Sequence, residues 1–524
     1  MNKRIRNRRV VAGGLLLCGV LGCGPVEAVR APPQVKPTPT AAPQVTTAAP
    51  EVKEEPPGAG EMRELSLPAP EWDELSNGVR VATIRSPALP IVEVRVVALT
   101  GSAGDGDKHG VAELTAELLK EGGAGGLSGR ALVEKAEAMG AALQVSVTLD
   151  RTALSLGVTK DRMAEALSLL GAMASKPAMS AGDLAKLRKR RAEEAADRAR
   201  ESAAWGVSMM LYRTLFGGAG SHPYSTYDAT AAEIGKLTVA DCRAFHKRAF
   251  VPKNLLVVVA GDADRGEVRA AAEKALGELK GAEPKETVFP ALTWIRGLQV
   301  VVVDRPKSTQ SQVSVGVLGP ERTSPPWPAF ATGNQILGGG ASGRLFAEVR
   351  ERAGLAYSTG SSLTELSHGS LLVAFAGTET KKTGLAAQAL LAQVERMGSD
   401  EPTPAEVAVA TRFLADVTAI RLETVGALAN ELIQDRVLGL PDDAAARFRR
   451  EVHDVKGPNV LRSMASYLVR HRAALVVSGD AKIVGPLLRT FGDVRVVDPE
   501  NGFTVKETLA TDPDAQLAPA EESQ

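Results

Sequence analysis

The sequence is poorest in aromatic residues and cysteine. Phe, Trp and Tyr together make up 4% of the 524 residues, so a ring-rich core is excluded, and the 44% hydrophobic fraction must pack largely as Ala, Val and Leu. Three cysteines are too few for a disulfide framework across a chain of this length. An excess of charge of one sign is also missing. The 62 basic and 62 acidic side chains balance, which removes the bulk electrostatic footprint expected of a nucleic-acid partner. Long apolar runs are absent as well: the one at residues 10–21 is too short to span a bilayer stably.

That run follows Lys3, Arg4, Arg6, Arg8 and Arg9 and ends in Val20-Leu21-Gly22-Cys23, a pattern resembling the bacterial lipobox. Residues 1–23 are therefore expected to be a lipoprotein signal peptide, with lipid carried on Cys23. A plain secretory signal with an incidental cysteine is the alternative. Cys18 would leave with the signal and Cys23 would be acylated, so Cys242 has no partner. The expected location is the cell envelope, at the outer membrane facing the periplasm, with membrane contact through Cys23. Residues 24–62 are rich in Pro, Ala, Thr, Val and Glu without a sustained apolar period, which predicts a disordered tether.

Beyond the tether the pattern changes. Residues 79–83 and 91–99 are β-branched runs, a helix is expected over 110–122, another over 128–139, and a hairpin over 143–148 and 152–158. Helical period returns at 163–174 and 183–204, then near 229–234 and 239–249, before the strand 255–260. The second half repeats this order, with strand 312–318, helices over 329–353, a hairpin at 363–375 and a helix at 385–396. Each half closes on a strand ending in Gly-Asp, at Gly261-Asp262 and Gly479-Asp480, 218 residues apart. This predicts a duplicated α+β fold of two homologous domains, each a mostly antiparallel sheet covered by helices. The expected boundaries are 63–281 and 297–499, joined by a linker at 282–296 and followed by a disordered tail at 500–524.

Within GVAELTAELLKEG at 110–122, Val111, Leu114 and Leu118 share one helical face, while Glu113, Glu117 and Glu121 recur every fourth residue on another. Ligands at i and i+4 on one helix hold zinc in several peptidases, but here those positions carry glutamates. Two glutamates on one helix could face a hard cation only with further oxygen ligands from other segments, and they read first as a solvated face. His109 reads as an exposed loop residue rather than a ligand.

These residues, together with HPYSTYDATAAEIGKLTVADCRAFHKRAFVPKNLLVVVAGD and NQILGGGASGRLFAEVRERAGLAYS, resemble the insulinase/pitrilysin family of zinc metallopeptidases, the inverzincins. The resemblance covers nearly all of residues 72–500. It implies two similar domains forming half of a clamshell that closes on a partner around an unfolded peptide. In the family's active half, H-x-x-E-H binds zinc through its histidines and activates water through its glutamate. Alignment puts Glu113 and Glu117 at the histidine positions and Ala116 at the base position. The third ligand position falls on Leu187 by pattern or on Glu193 by count.

In the second half, the resemblance matches Arg350 and Tyr357 to a pair that reaches the substrate, the guanidinium holding a carbonyl and the phenol an oxyanion. The bland alternative pairs Arg350 with Glu348 or Glu351 and leaves Tyr357 an ordinary strand residue. Gly338, Gly339 and Gly340, with Gly343, resemble the glycine-rich loop of the family's inactive processing-peptidase subunit. No Lys-Ser/Thr follows them, which sets a nucleotide loop aside. His222-Pro223-Tyr224 is read as a turn. The expectation is thus a subunit without its own zinc or cofactor, pairing as a heterodimer with a zinc-bearing homologue to act on unfolded peptides. The rivals are a structural or peptide-binding envelope protein, and an active metallopeptidase with atypical metal ligands.

Overall fold

The computed structural model describes residues 65–217, 222–284 and 287–519. The expected signal peptide, Cys23 and the tether lie outside these residues. In the first half the strands are β1 (Glu71–Glu74), β2 (Arg80–Arg85), β3 (Ile91–Ala98), β4 (Gln144–Val147), β5 (Thr152–Thr159) and β6 (Leu255–Gly261). Its helices are α1 (Val111–Glu121), α2 (Gly129–Ala138), α3 (Met163–Ser175), α4 (Ala181–Glu201), α5 (Ala203–Phe216), α6 (Ala231–Ile234), α7 (Val239–Ala249) and α8 (Arg265–Leu276). The second half has β7 (Gln299–Asp304), β8 (Gln310–Gly319), β9 (Ser358–Leu366), β10 (Gly369–Glu379), β11 (Ala474–Gly479), β12 (Val494–Asp498) and β13 (Thr504–Leu509). Its helices are α9 (Trp327–Gly338), α10 (Thr383–Ser399), α11 (Pro404–Arg421), α12 (Val425–Val437), α13 (Ala444–His453), α14 (Gly457–Tyr467) and α15 (Ala481–Leu488).

The strands form two sheets, β1-β2-β6-β3-β5-β4 and β13-β12-β7-β11-β8-β10-β9. From the second position of the first sheet the two orders correspond strand for strand: β2, β6, β3, β5 and β4 match β7, β11, β8, β10 and β9. Both contain a parallel pair at the matching place, β2 with β6 and β7 with β11, followed by antiparallel neighbours, and the second sheet adds a further parallel pair, β12 with β7. The α+β fold is therefore a duplication, and the repeated Gly-Asp marks the ends of the equivalent strands β6 and β11.

Central strands explain their own composition. Every residue of β6, LLVVVAG, is buried, because both faces of its sheet are covered. One face packs on the helices of its own half, through Val92, Val94, Val96, Leu114, Leu118 and Leu170. The other face is covered from the opposite half. Leu428, Leu432 and Ile433 of α12 cluster with Ala82, Ile84, Val97, Leu256 and Val258 of the first sheet. Reciprocally, Trp205, Met209, Leu211 and Leu215 of α5 cluster with Val301, Val303, Leu318 and Val476 of the second. Each half thus lends one helix to the other's core.

Two expectations change here. The single helix expected over 183–204 is two, because the Ser202 side chain accepts from Trp205 N and starts α5 where α4 ends. The tail expected to be disordered contains β13, which pairs antiparallel with β12 and extends the second sheet.

Candidate functional site

The loop before α1 fixes how that helix enters the fold. Asp105 is buried and accepts hydrogen bonds from Gly110 N (2.7 Å) and Ala112 N (3.0 Å), satisfying orphan donors of the first turn. Gly110 has φ 85°, and a Cβ there would lie 2.7 Å from the Ala229 methyl, so glycine is needed for both conformation and contact. Val111, Leu114, Ala116, Leu118 and Leu119 are then buried. Ala116, expected at the base position, is a core residue.

The opposite face of α1 meets α4. Arg190 donates to both Glu121 (3.1 Å) and Glu117 (3.3 Å), while Arg191 Nε lies 3.2 Å from Glu117 Oε1 and its Nη1 donates to Glu194 (2.8 Å). Burial raises the Glu117 carboxyl above its ordinary range despite these two guanidinium groups. Glu113, one turn earlier, has an enclosed Oε2 without a hydrogen-bond partner. Its carboxyl is pushed up to about 7 by burial first, and further by Asp228, against the opposing pull of its own backbone N–H and Arg191. Asp105 moves in the same direction, by burial and then by the facing Glu113. Asp228 in turn accepts from Trp205 Nε1 (2.8 Å) and pairs with Arg198 (3.1 Å), which ties the cluster to the start of α5.

This donor set does not fit zinc. It offers carboxylates without a neutral imidazole or a thiolate, and both oxygens of Glu117 are engaged by guanidinium groups. Among the described residues no group of three or more His, Cys, Asp or Glu is placed to hold a metal. Neither position proposed for a third ligand points here. Leu187 is fully buried in the first core, and Glu193 is exposed and pairs with Lys189 at 3.9 Å. The α4 carboxylate beside this cluster is Glu194, which sequence reading missed along with the two arginines. The available signal was Arg190-Arg191, one helical turn beyond Leu187 on a helix that packs on α1.

His109 is not an exposed loop residue. It is half-buried, with Nδ1 2.8 Å from Glu233 Oε1 and Nε2 3.3 Å from Thr226 Oγ1. Burial would raise the Glu233 carboxyl, but hydrogen bonds from His109 and Thr230 outweigh it and hold it at about 2. The pair docks the loop before α1 onto the capping box of α6. His222-Pro223-Tyr224 does form a short turn, and Tyr224 Oη donates to Asp150 (2.5 Å), whose other oxygen accepts from Ser367 N across the halves. Cys242 is buried and free.

In the second half, Arg350 lies on a π-helical stretch, Phe346–Arg352, a form that recurs at functional sites. It is exposed and stacks over the Phe346 ring at 4.9 Å. Among the described residues it makes no ion pair, because Glu348 is taken by Arg352 at 2.6 Å. Tyr357 precedes β9 and is exposed, its Oη 3.3 Å from Gln310 Oε1 and its ring across Gly377, where a Cβ would come within 2.6 Å of Cζ. Gly338 and Gly343 are explained by packing. A Cβ on Gly338 would meet the Gly360 carbonyl carbon at 2.7 Å, and one on Gly343 would lie 2.9 Å from the Gly338 Cα. Gln335 donates to the Gly339 carbonyl (3.2 Å), closing the end of α9 before Gly340.

Residues 80–223 match the family model described as insulinase (peptidase family M16), and residues 236–414 match that of the peptidase M16 inactive domain. The chain belongs to the insulinase, or M16, family. It is 30% identical over 264 residues to an uncharacterized zinc protease of Streptomyces coelicolor, covering 48% of this chain and 56% of that one. It is 23% identical over 421 residues to the zinc protease PqqE of Helicobacter pylori, covering 78% and 93%. The crystal structure of a peptidase M16 inactive domain from Pseudomonas fluorescens superposes with a TM-score of 0.72 at 25% identity, covering 78% of this chain and 97% of that one.

Proposed function

We propose that this chain is the metal-free member of a two-chain M16 peptidase, pairing with a zinc-bearing homologue and presenting Arg350 and Tyr357 to an unfolded peptide. The observation that carries the reading is an asymmetry between the halves. In the first, the Glu117 carboxylate is tied up by Arg190 and Arg191, and Glu113 is enclosed with one oxygen unpartnered. In the second, a guanidinium and a phenol stand exposed, the guanidinium without an ionic partner among the described residues. A free guanidinium can hold a peptide carbonyl, and a phenol can donate to an oxygen that gains charge during hydrolysis. The likeness to a structure named an inactive domain supports the same assignment. Zinc belongs to the partner in this reading, and lipid on Cys23 holds the pair at the envelope, at the outer membrane facing the periplasm.

The test is reconstitution. The chain alone leaves a quenched-fluorescence peptide intact, addition of the zinc-bearing homologue gives cleavage above that of the homologue by itself, and Arg350→Ala removes most of the gain. An Arg350→Ala mixture as active as wild type overturns the role given to this residue. Loss of palmitate labelling in Cys23→Ser tests the anchor.

A further inference from the structure

Beside Tyr357 the second sheet has an open stretch that the packing of α5 leaves uncovered. Side chains alternate along each strand, so Gln310, Gln312 and Ser314 of β8 share a face with Val373, Phe375 and Gly377 of β10 and with Ser358, Gly360 and Ser362 of β9. Leu211 and Leu215 of α5 cover this face at Gly316, where a Cβ would come within 2.7 Å of Leu211. Between α5 and β9 a cavity of about 230 Å³ remains, lined by Leu211, Tyr212, Tyr227, Ser362, Val373 and Phe375 among others. Its whole lining is free of Asp, Glu, Lys, Arg and His, in a protein that is 24% Asp, Glu, Lys and Arg. Tyr212 and Tyr227 meet at its wall with ring centroids 4.9 Å apart.

We infer that this cavity is a specificity subsite that receives one bulky uncharged side chain, aromatic or aliphatic, of the peptide that Tyr357 contacts. The inference rests on the reading of Tyr357 as a peptide-contacting residue. Three observations place the occupant. The volume suits a single large side chain and is below the few hundred Å³ of pockets that enclose a drug-sized ligand. An ammonium or carboxylate entering it would lose water without gaining an ionic partner, which selects against Lys, Arg, Asp and Glu. Distance along the sheet sets the spacing. Tyr357 lies on Gly377, and Phe375 and Val373 follow on the same face of β10, at roughly 7 and 13 Å along the strand. An extended peptide covers those distances in about two to four residues, so the selected side chain stands that far from the one beside Tyr357.

The full chain can be titrated with fluorescein-labelled Ala/Ser peptides of about ten residues bearing a single Phe, Lys or Glu at one central position. The Phe peptide is expected to bind at least tenfold more tightly than the Lys and Glu peptides. Ser362→Trp fills the cavity from an exposed strand position and should erase that ratio, with circular dichroism and thermal unfolding confirming the fold. Val373→Asp should reverse the preference between Phe and Lys. Arg350→Ala should weaken all three peptides alike and leave the ratio standing. Absence of saturable binding by the Phe peptide, or a ratio untouched in folded Ser362→Trp, overturns the subsite and leaves the reconstitution result to stand independently. A ratio that depends on Ser362 alongside an Arg350→Ala mixture of full activity keeps the subsite and removes the role of Arg350.

Discussion

Arg191 Nε of α4 lies 3.2 Å from Glu117 Oε1 of α1, so a guanidinium stands against the second glutamate of that helix. The positive charge that would draw carboxylates together is covalently built into the neighbouring helix. Its removal leaves Glu113, Glu117 and Glu194 facing one another with Arg190 alone to offset them. Arg191→Ala is expected to lower stability by about 1–3 kcal/mol, less than a fully enclosed pair would cost because part of the cluster reaches solvent. Urea unfolding with an unchanged m-value checks this, and a midpoint equal to wild type counts against the ion pair.

Glu113 makes stability depend on pH. The folded chain keeps its proton up to about pH 7, whereas an unfolded glutamate loses it near 4.5, so the folded state holds more protons between those values. Stability therefore falls as pH rises through that window. Glu113→Gln stays neutral throughout, and its advantage over wild type should grow between about pH 5 and about pH 8, with a ceiling on the order of 3 kcal/mol. Thermal unfolding of both proteins across that range reads the difference directly. An offset that is flat with pH refutes the assignment.

Restoring the motif residues is not expected to restore zinc. In Glu113→His/Ala116→Glu/Glu117→His, Arg190 and Arg191 still project at α1, and the new glutamate enters a position that is 1% exposed. Metal analysis should find no stoichiometric zinc in that variant, while the same triple change with Arg191→Glu should bind some. Zinc in the first variant would show that the arginines yield easily.

Tyr357→Phe keeps the ring over Gly377 and deletes only the hydroxyl that meets Gln310. In the reconstituted pair it should cut kcat by about 10²-fold with KM changed far less, as expected of a donor used in the transition state. A change confined to KM would assign the phenol to substrate binding alone.

The exchanged helices predict how the chain comes apart. Leu211→Ala should cost about 2–5 kcal/mol, although the residue belongs to the first half and its cavity opens against the second sheet. Residues 65–296 expressed alone should be insoluble or molten, because Ala82, Ile84, Leu256 and Val258 lose the cover of α12. A single cooperative transition for the intact folded part, and a soluble, sharply melting fragment as the contrary result, decide the matter by calorimetry.

Much of this architecture is legible in the sequence because it is local. The strands β3, β6, β8 and β11 announce themselves as β-branched runs, and α1 by its apolar period. What escaped is set by long-range contact. The helix α5 follows α4 after one serine, and only the cap at Ser202 and the foreign sheet under Leu211 separate them. The strand β13 has exposed or half-buried side chains throughout and a tail-like composition, and its pairing with β12 alone gives it order. At the candidate site, the spacing that puts Glu113, Glu117 and Glu121 on one face of α1 could be read directly. The arginines that pair with Glu117 sit in LRKRRAEEAADRARES, where a charge run reads as a solvated surface until α4 is laid on α1.

The reciprocal loan of α5 and α12 also decides where motion can occur. Swinging one sheet away from the other would strip both cores at once, so the two halves of this chain cannot serve as jaws. In the two-chain arrangement proposed above, a polypeptide would then be admitted by separation of one whole chain from another, and the hinge would be the association equilibrium between them.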